Sequence, residues 1–192
     1  MTAKSLFGLK AVLQALLASS LLASGVFPAF ADTVWPRLES GMVVLLRHAS
    51  APGFGDPKGF QIGDCTTQPN LDEVGRTQAR RIGESFRQRG VEVTAVWSSQ
   101  WCRTQETADL AFPGKRIDQP AFNSFFDTPE DSSSQTRAAR DVLASWRGPG
   151  VLVVVTHQVN ITALTGIVPQ SGEAVVMKPR AGQWTDVGRI TP

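Results

Sequence analysis

Apolar residues fall along this chain in two patterns. The first is the unbroken run: Met42 to Leu46 and Val151 to Val155 are continuous apolar stretches of strand length. Runs this uniform leave no wet face, so they predict strands central in a sheet and buried on both sides. The second is an interrupted stripe, in which Leu71, Val74, Ala79, Ile82 and Phe86 recur at roughly helical spacing. Asn70 stands before that stripe as an N-cap with Glu73 three residues on, and Gly90 ends it. Val93 to Trp97 predicts a further strand, after which Ser98 or Ser99 caps a helix through Ala111.

Beyond these, Ala121 to Phe126 predicts a third strand. Thr128-Pro129-Glu130-Asp131 starts a helix carrying Ala138, Val142, Leu143 and Trp146, which Gly148-Pro149-Gly150 terminates. The Val151–His157 strand leads to a helix from about Asn160, and Ala174–Met177 and Trp184–Ile190 are late strands. Strands alternating with helices predict an α/β sandwich with a mostly parallel central sheet. Between the first strand and first helix, Ser50 to Pro69 is rich in Gly, Pro, Asp and Thr. A loop that long in a compact domain is functional or mobile.

Composition changes the picture at the N-terminus. Lys4 and Lys10, an apolar run from Ala11 to Leu22 and the small-residue end Ala29-Phe30-Ala31 form the three parts of a secretory signal peptide, with cleavage expected before Asp32. The rival reading, a retained membrane anchor, is weakened by Gln14, Ser19, Ser20, Ser24 and Gly25, which break a span that needs roughly 20 apolar residues. The expected organisation is a signal at 1–31 and one domain at 32–192, periplasmic or secreted and without stable membrane insertion. Two of the 19 basic residues lie in the leader and none of the 17 acidic ones, so residues 32–192 carry a formal charge of zero. Nothing in that balance calls for nucleic acid or an anionic membrane as partner.

The candidate chemistry lies at strand ends. The chain has two histidines, His48 and His157, and each follows directly on one of the two central apolar strands. In open α/β sheets the ligand crevice lies at the carboxyl ends of the strands. A single histidine there is more often structural; two at equivalent positions, one behind Arg47, are a much rarer coincidence. Arg103, in the first turns of the helix after Val93–Trp97, reaches toward the same crevice, where a guanidinium grips phosphate oxygens in pairs. A metal site of two His and two Cys fails on spacing, and no Gly-x-Ser-x-Gly elbow is present for a serine hydrolase.

These residues resemble the histidine phosphatase superfamily, over most of residues 32–192. Its Arg-His-Gly opening appears as Arg47-His48-Ala49, and its Leu-x-x-x-Gly-x-x-Gln-Ala helix as Leu71 to Ala79. Its Ser-Ser-x-x-x-Arg-x-x-x-Thr-Ala signature is Ser98 to Ala108, and its late strand ending in His-Gly is Val153 to His157 with Gln158 in place of glycine. The resemblance implies a phosphoglycerate mutase-like three-layer sandwich and a phosphatase. His48 would be the nucleophile that forms a phosphohistidine, with Arg47, Arg103 and His157 holding the phosphoryl oxygens. It implies no cofactor and no metal. Ala49 must stay small beside the phosphate loop.

In phosphomonoesterase members a glutamate after the third strand protonates the leaving oxygen. The corresponding stretch, Ala121 to Asp131, has Ser124 near that place, and Asp127 is the nearest acid, equally readable as a loop residue before the helix cap Thr128. The compact chain, and the run from Gly63 to Ala79, are similar to exported bacterial enzymes acting on lipopolysaccharide core heptose phosphate. That implies a small phosphorylated substrate or phosphoglycan as partner. The alternative is a non-catalytic phosphoglycan-binding module that kept the pocket after losing its acid. Cys65 and Cys102, the only cysteines, sit beside pieces of the proposed pocket. In an exported protein they are expected to pair, tying the long loop to the arginine-bearing helix; two buried thiols on separate elements is the other reading.

Overall fold

A computed structural model describes residues 34–35, 38–180 and 183–192. The expected signal peptide lies outside the described residues. Six strands form one sheet: β1 (Val43–Arg47), β2 (Val93–Ser98), β3 (Arg116–Asp118), β4 (Val151–Thr156), β5 (Ala174–Arg180) and β6 (Gln183–Ile190). Their order is β3-β2-β4-β1-β5-β6. The four strands from β3 to β1 run parallel, and β5 and β6 add antiparallel at one edge. This is the mostly parallel sheet expected from the sequence.

Helices cover both faces, and the pleat assigns residues to each. On one face Val44, Leu46, Val153 and Val155 pack beneath α1 (Glu73–Gln88) and α2 (Cys102–Ala111), meeting Ile82, Phe86, Ala108 and Ala111. On the other, Val43, Leu45, Leu152 and Val154 pack beneath α3 (Ser132–Ser145) and α4 (Gln158–Thr165), meeting Ala139, Leu143 and Ile161. Every residue from Val151 to Thr156 is buried, which is why that strand reads as an unbroken run.

Three sequence expectations shift. The cap of α1 is Asp72, whose carboxylate accepts from Gly75 N–H at 2.7 Å; Asn70 instead donates its side-chain amide to the Cys65 carbonyl at 2.6 Å. Val74 leaves the buried stripe and is 71% exposed, because Gly75 takes the inward place. The third strand is Arg116–Asp118, and Pro120–Phe122 is a 3₁₀ turn instead of the start of a strand. Pro120 has no N–H to give a ladder. The apolar signal there comes from Phe122 and Phe125, which are buried from a loop.

Two glycines of α1 set how closely neighbours approach. A Cβ on Gly75 would lie 1.9 Å from the Ser50 carbonyl oxygen, and one on Gly83 would lie 2.0 Å from that of Ala111. Both obstacles are backbone and cannot swing aside. Gly83→Ala is therefore expected to push α1 from α2 and lower stability by about 1–3 kcal/mol. Urea denaturation checks this, and an unchanged midpoint would show that the two helices separate freely.

Candidate active site

β1 and β4 are parallel neighbours, in register as Arg47 opposite Thr156. The chain leaves β1 toward α1 on one face and leaves β4 toward α4 on the other. Connections that diverge this way open a crevice at the strand ends. The next residue on each strand is a histidine, and the His48 N–H donates to the Thr156 carbonyl at 3.0 Å. The two imidazole rings stand 5.5 Å apart, 65° between planes.

Together with Arg47 and Arg103, the histidines line a cleft of about 130 Å³. His48, His157 and Arg103 are buried; Phe54 and Phe126, at 91% and 41% exposure, stand at its mouth with their rings edge to face 5.2 Å apart. Arg47 donates through Nη1 to the Pro169 carbonyl at 2.9 Å, while its Nε is buried with no hydrogen-bond partner. Burial and the neighbouring Arg103 lower the Arg47 pKa. Two guanidinium groups beside one small cleft, one with an orphaned N–H, suit a polyoxygen anion. The first turn of α4 adds to this: His157 is its N-cap, and Gln158 and Val159 line the cleft, so the positive end of the helix faces in.

The protonation of His48 follows from its contacts. Its Nδ1 lies 2.7 Å from the Ala49 carbonyl oxygen. A carbonyl only accepts, so Nδ1 carries the hydrogen and a neutral ring keeps its lone pair on Nε2. Burial, with Arg103 and then Arg47 nearby, drives the His48 pKa down to about 3. The ring is therefore neutral, with a free nucleophilic nitrogen. His157 is also held well below its ordinary range, by burial first and then by His48, Arg103 and Arg47. Its Nε2 is 2.8 Å from the Ser99 hydroxyl, which has only a longer 3.4 Å alternative acceptor in Asn123. Ser99 and His157 Nε2 thus share one hydrogen bond that holds the ring at the cleft.

Asp127 is not part of this group. It is exposed, does not line the cleft, and its Oδ2 accepts the Asp56 backbone N–H at 3.1 Å. Ser124 does line the cleft wall, and Gln158 stands at its edge. Ala49 is fully buried against Leu71 and Ala79, away from the cleft, so its methyl group fits without narrowing the site.

One cleft residue was not singled out from the sequence. Asp56, within the Ser50–Pro69 loop, turns its carboxylate inward: Oδ1 accepts from Arg103 Nη1 at 2.9 Å and Oδ2 from Trp101 Nε1 at 2.7 Å. Both side chains of that ion pair are about nine-tenths buried. No periodic pattern marks a loop acid; its only signal is an isolated carboxylate behind Gly55 in a loop long enough to suggest function. The loop is pinned by the disulfide Cys65–Cys102, with Cα atoms 5.7 Å apart, and by Phe60 stacked on Trp101 at 4.9 Å. The expected bridge between loop and arginine-bearing helix is therefore present.

Comparison with known proteins agrees with this arrangement. Residues 43–121 match the family model of the histidine phosphatase superfamily (branch 1). No curated protein matches the chain. Among solved structures, the product of the open reading frame Rv3214 from Mycobacterium tuberculosis superposes with a TM-score of 0.58 at 15% identity, covering 77% of this chain and 95% of that one. A phosphoserine phosphatase from Entamoeba histolytica, in complex with 3-phosphoglyceric acid, gives 0.57 at 12% identity over 79% and 97%. A phosphoglycerate mutase from Thermus thermophilus gives 0.54 at 17% identity over 79% and 99%. At these identities the structural likeness is one of fold, phosphoglycerate mutase-like. The matched segment, which carries His48, Arg47 and Arg103, makes residues 43–121 similar to the histidine phosphatase superfamily.

Proposed function

We propose that this protein is an exported phosphomonoesterase that hydrolyses sugar or surface-glycan phosphates through a phosphohistidine on His48. The observation that carries the reading is the state of His48: a neutral ring, oriented by Ala49, with Nε2 free beside two guanidinium groups. Nε2 attacks phosphorus and the P–O bond to the leaving group breaks. Water then cleaves the P–N bond and restores the ring. Arg47, Arg103 and His157 hold the equatorial oxygens while charge shifts among them.

The substrate class rests on the cleft mouth and on the resemblance of Gly63 to Ala79 to heptose phosphate phosphatases. Phe54 and Phe126 offer exposed ring faces of the kind that stack on the apolar face of a sugar. Among the described residues no cation beyond the two arginines lines the cleft to hold a second phosphate. Among the described residues, too, no helix is long and apolar enough to cross a membrane. Export, and the fate of the leader, are tested by the N-terminal sequence of the protein recovered from periplasm and medium.

Ser124, at the wall position where an acid is expected, favours a second reading, a phosphoglycan-binding module without turnover. Hydrolysis of p-nitrophenyl phosphate separates the two, because its leaving group needs little help from an acid. Turnover establishes the phosphatase; binding without turnover establishes the module.

The His48 pKa sets a pH expectation. The folded value of about 3 lies below the ordinary value of 6.5, so the folded protein refuses a proton that the unfolded chain accepts. Stability from this group is complete above about pH 6.5 and is lost as pH falls toward 3. The profile of kcat/KM for p-nitrophenyl phosphate should accordingly show no fall from His48 protonation near pH 6.5 while the protein remains folded. An ascending limb centred there, with the fold intact throughout, would contradict a neutral, buried His48.

A further inference from the structure

We infer that Asp56 is the proton donor to the leaving group, a role that rests on the phosphatase reading above. Among the described residues that line the cleft, Asp56 is the only carboxylic acid. Ser124 has no proton of suitable acidity, and Asp127 lies outside with its carboxylate on a backbone N–H. The Asp56 carboxylate sits on Arg103 Nη1, the guanidinium that would bind the phosphoryl oxygens, and is held in place from its other oxygen by Trp101 Nε1. Its backbone is fixed by Asp127, and the preceding Gly55 has φ of +68°, a conformation that favours glycine and that lets the chain turn the acid inward.

This geometry gives Asp56 two states. Without substrate, the carboxylate neutralises Arg103 inside a buried pair. An arriving phosphate ester competes for the same guanidinium and brings a second negative group against the carboxylate. The ester arrives as its monoanion, and its proton passes to the carboxylate as Arg103 turns to the phosphoryl oxygens. When His48 Nε2 attacks and the P–O bond breaks, the Asp56 carboxyl O–H proton passes to the departing alkoxide, leaving an alcohol, phosphohistidine and carboxylate. In the second half the carboxylate takes a proton from water as its oxygen attacks phosphorus and the P–N bond breaks. Inorganic phosphate leaves, and no further reactant is needed. Trp101 ties this acid to the phosphate site as well, because its indole also packs edge to face on His157 at 5.3 Å.

The test compares Asp56→Asn with the parent on p-nitrophenyl phosphate and on glycerol 2-phosphate. The expected result is a fall of about 10²-fold or more in kcat/KM for the alkyl ester relative to the aryl ester. Vanadate should bind Asp56→Asn at least as tightly as the parent, because the competing charge on Arg103 is gone. Asp127→Asn should slow both esters by the same small factor. Equal losses on both esters in Asp56→Asn, or a leaving-group-dependent loss in Asp127→Asn, overturns the assignment. Should Asp56→Asn fail to fold, the parent alone decides: kcat for the alkyl ester must show a high-pH descending limb that the aryl ester lacks, and its absence overturns the assignment. Failure of the parent to turn over p-nitrophenyl phosphate at all is a different outcome, which removes the phosphatase reading itself.

Discussion

His48→Ala is expected to abolish turnover of p-nitrophenyl phosphate, with a loss on the order of 10⁴-fold or more, since the covalent route vanishes with the ring. Acid quenching of the parent during turnover should destroy a phosphoenzyme that alkaline denaturation preserves, and His48→Ala should show none under either condition. The structure makes the variant a fair test. The His48 backbone N–H, which alanine keeps, makes the bond to the neighbouring strand, and the ring contacts other site residues, His157 above all. Arg47 and Arg103 remain, so the variant should still bind vanadate. A His48→Ala protein that binds vanadate and also retains near-parental activity would sink the mechanism, because among the described residues the one other imidazole of the cleft, His157, is tied through Nε2 to Ser99.

Removing the disulfide should have the largest effect on stability. The bridge spans a sequence separation of 37, and the chain-entropy model values such a closure at ~4 kcal/mol. Besides the bridge, the Phe60–Trp101 stack and the Asp56–Arg103 ion pair hold the loop. Regular structure there is limited to a 3₁₀ turn over Cys65–Thr67, and most residues from Pro52 to Thr67 are at least partly exposed. Buried Cys102, at the start of α2, immediately precedes Arg103, so loosening it also disturbs a guanidinium of the cleft. The double variant Cys65→Ala/Cys102→Ala should unfold at markedly lower urea and show a raised KM. The parent treated with reductant should follow the same denaturation curve. Coincidence of the double variant with the oxidised parent would mean that Phe60, Trp101 and the Asp56 ion pair hold the loop by themselves.

The sheet and its two strand-end histidines were legible in the sequence because their signals are local. A strand buried on both faces must be apolar at every position, so Met42–Leu46 and Val151–Val155 announce themselves, and the histidine that ends each one is placed without knowledge of the fold. Arg103 was readable for the same reason, in the first turn of a helix that follows a strand. Packing decided the rest. Val74 matches the helical stripe in hydropathy, yet it faces water because a glycine was needed where α1 meets the Ser50 carbonyl. Phe122 and Phe125 mimic a strand from within a loop, since burial there comes from contact with the sheet and not from membership of it. The two loop acids differ in placement for a like cause. Asp127 lies nearer in sequence to the place where an acid is expected, whereas Asp56 reaches the cleft only because a disulfide, an aromatic stack and an arginine 47 positions away fold its loop over the site. Periodicity records which way a regular backbone turns its side chains; an irregular loop has no period, and contacts distant in sequence alone decide where its carboxylate points.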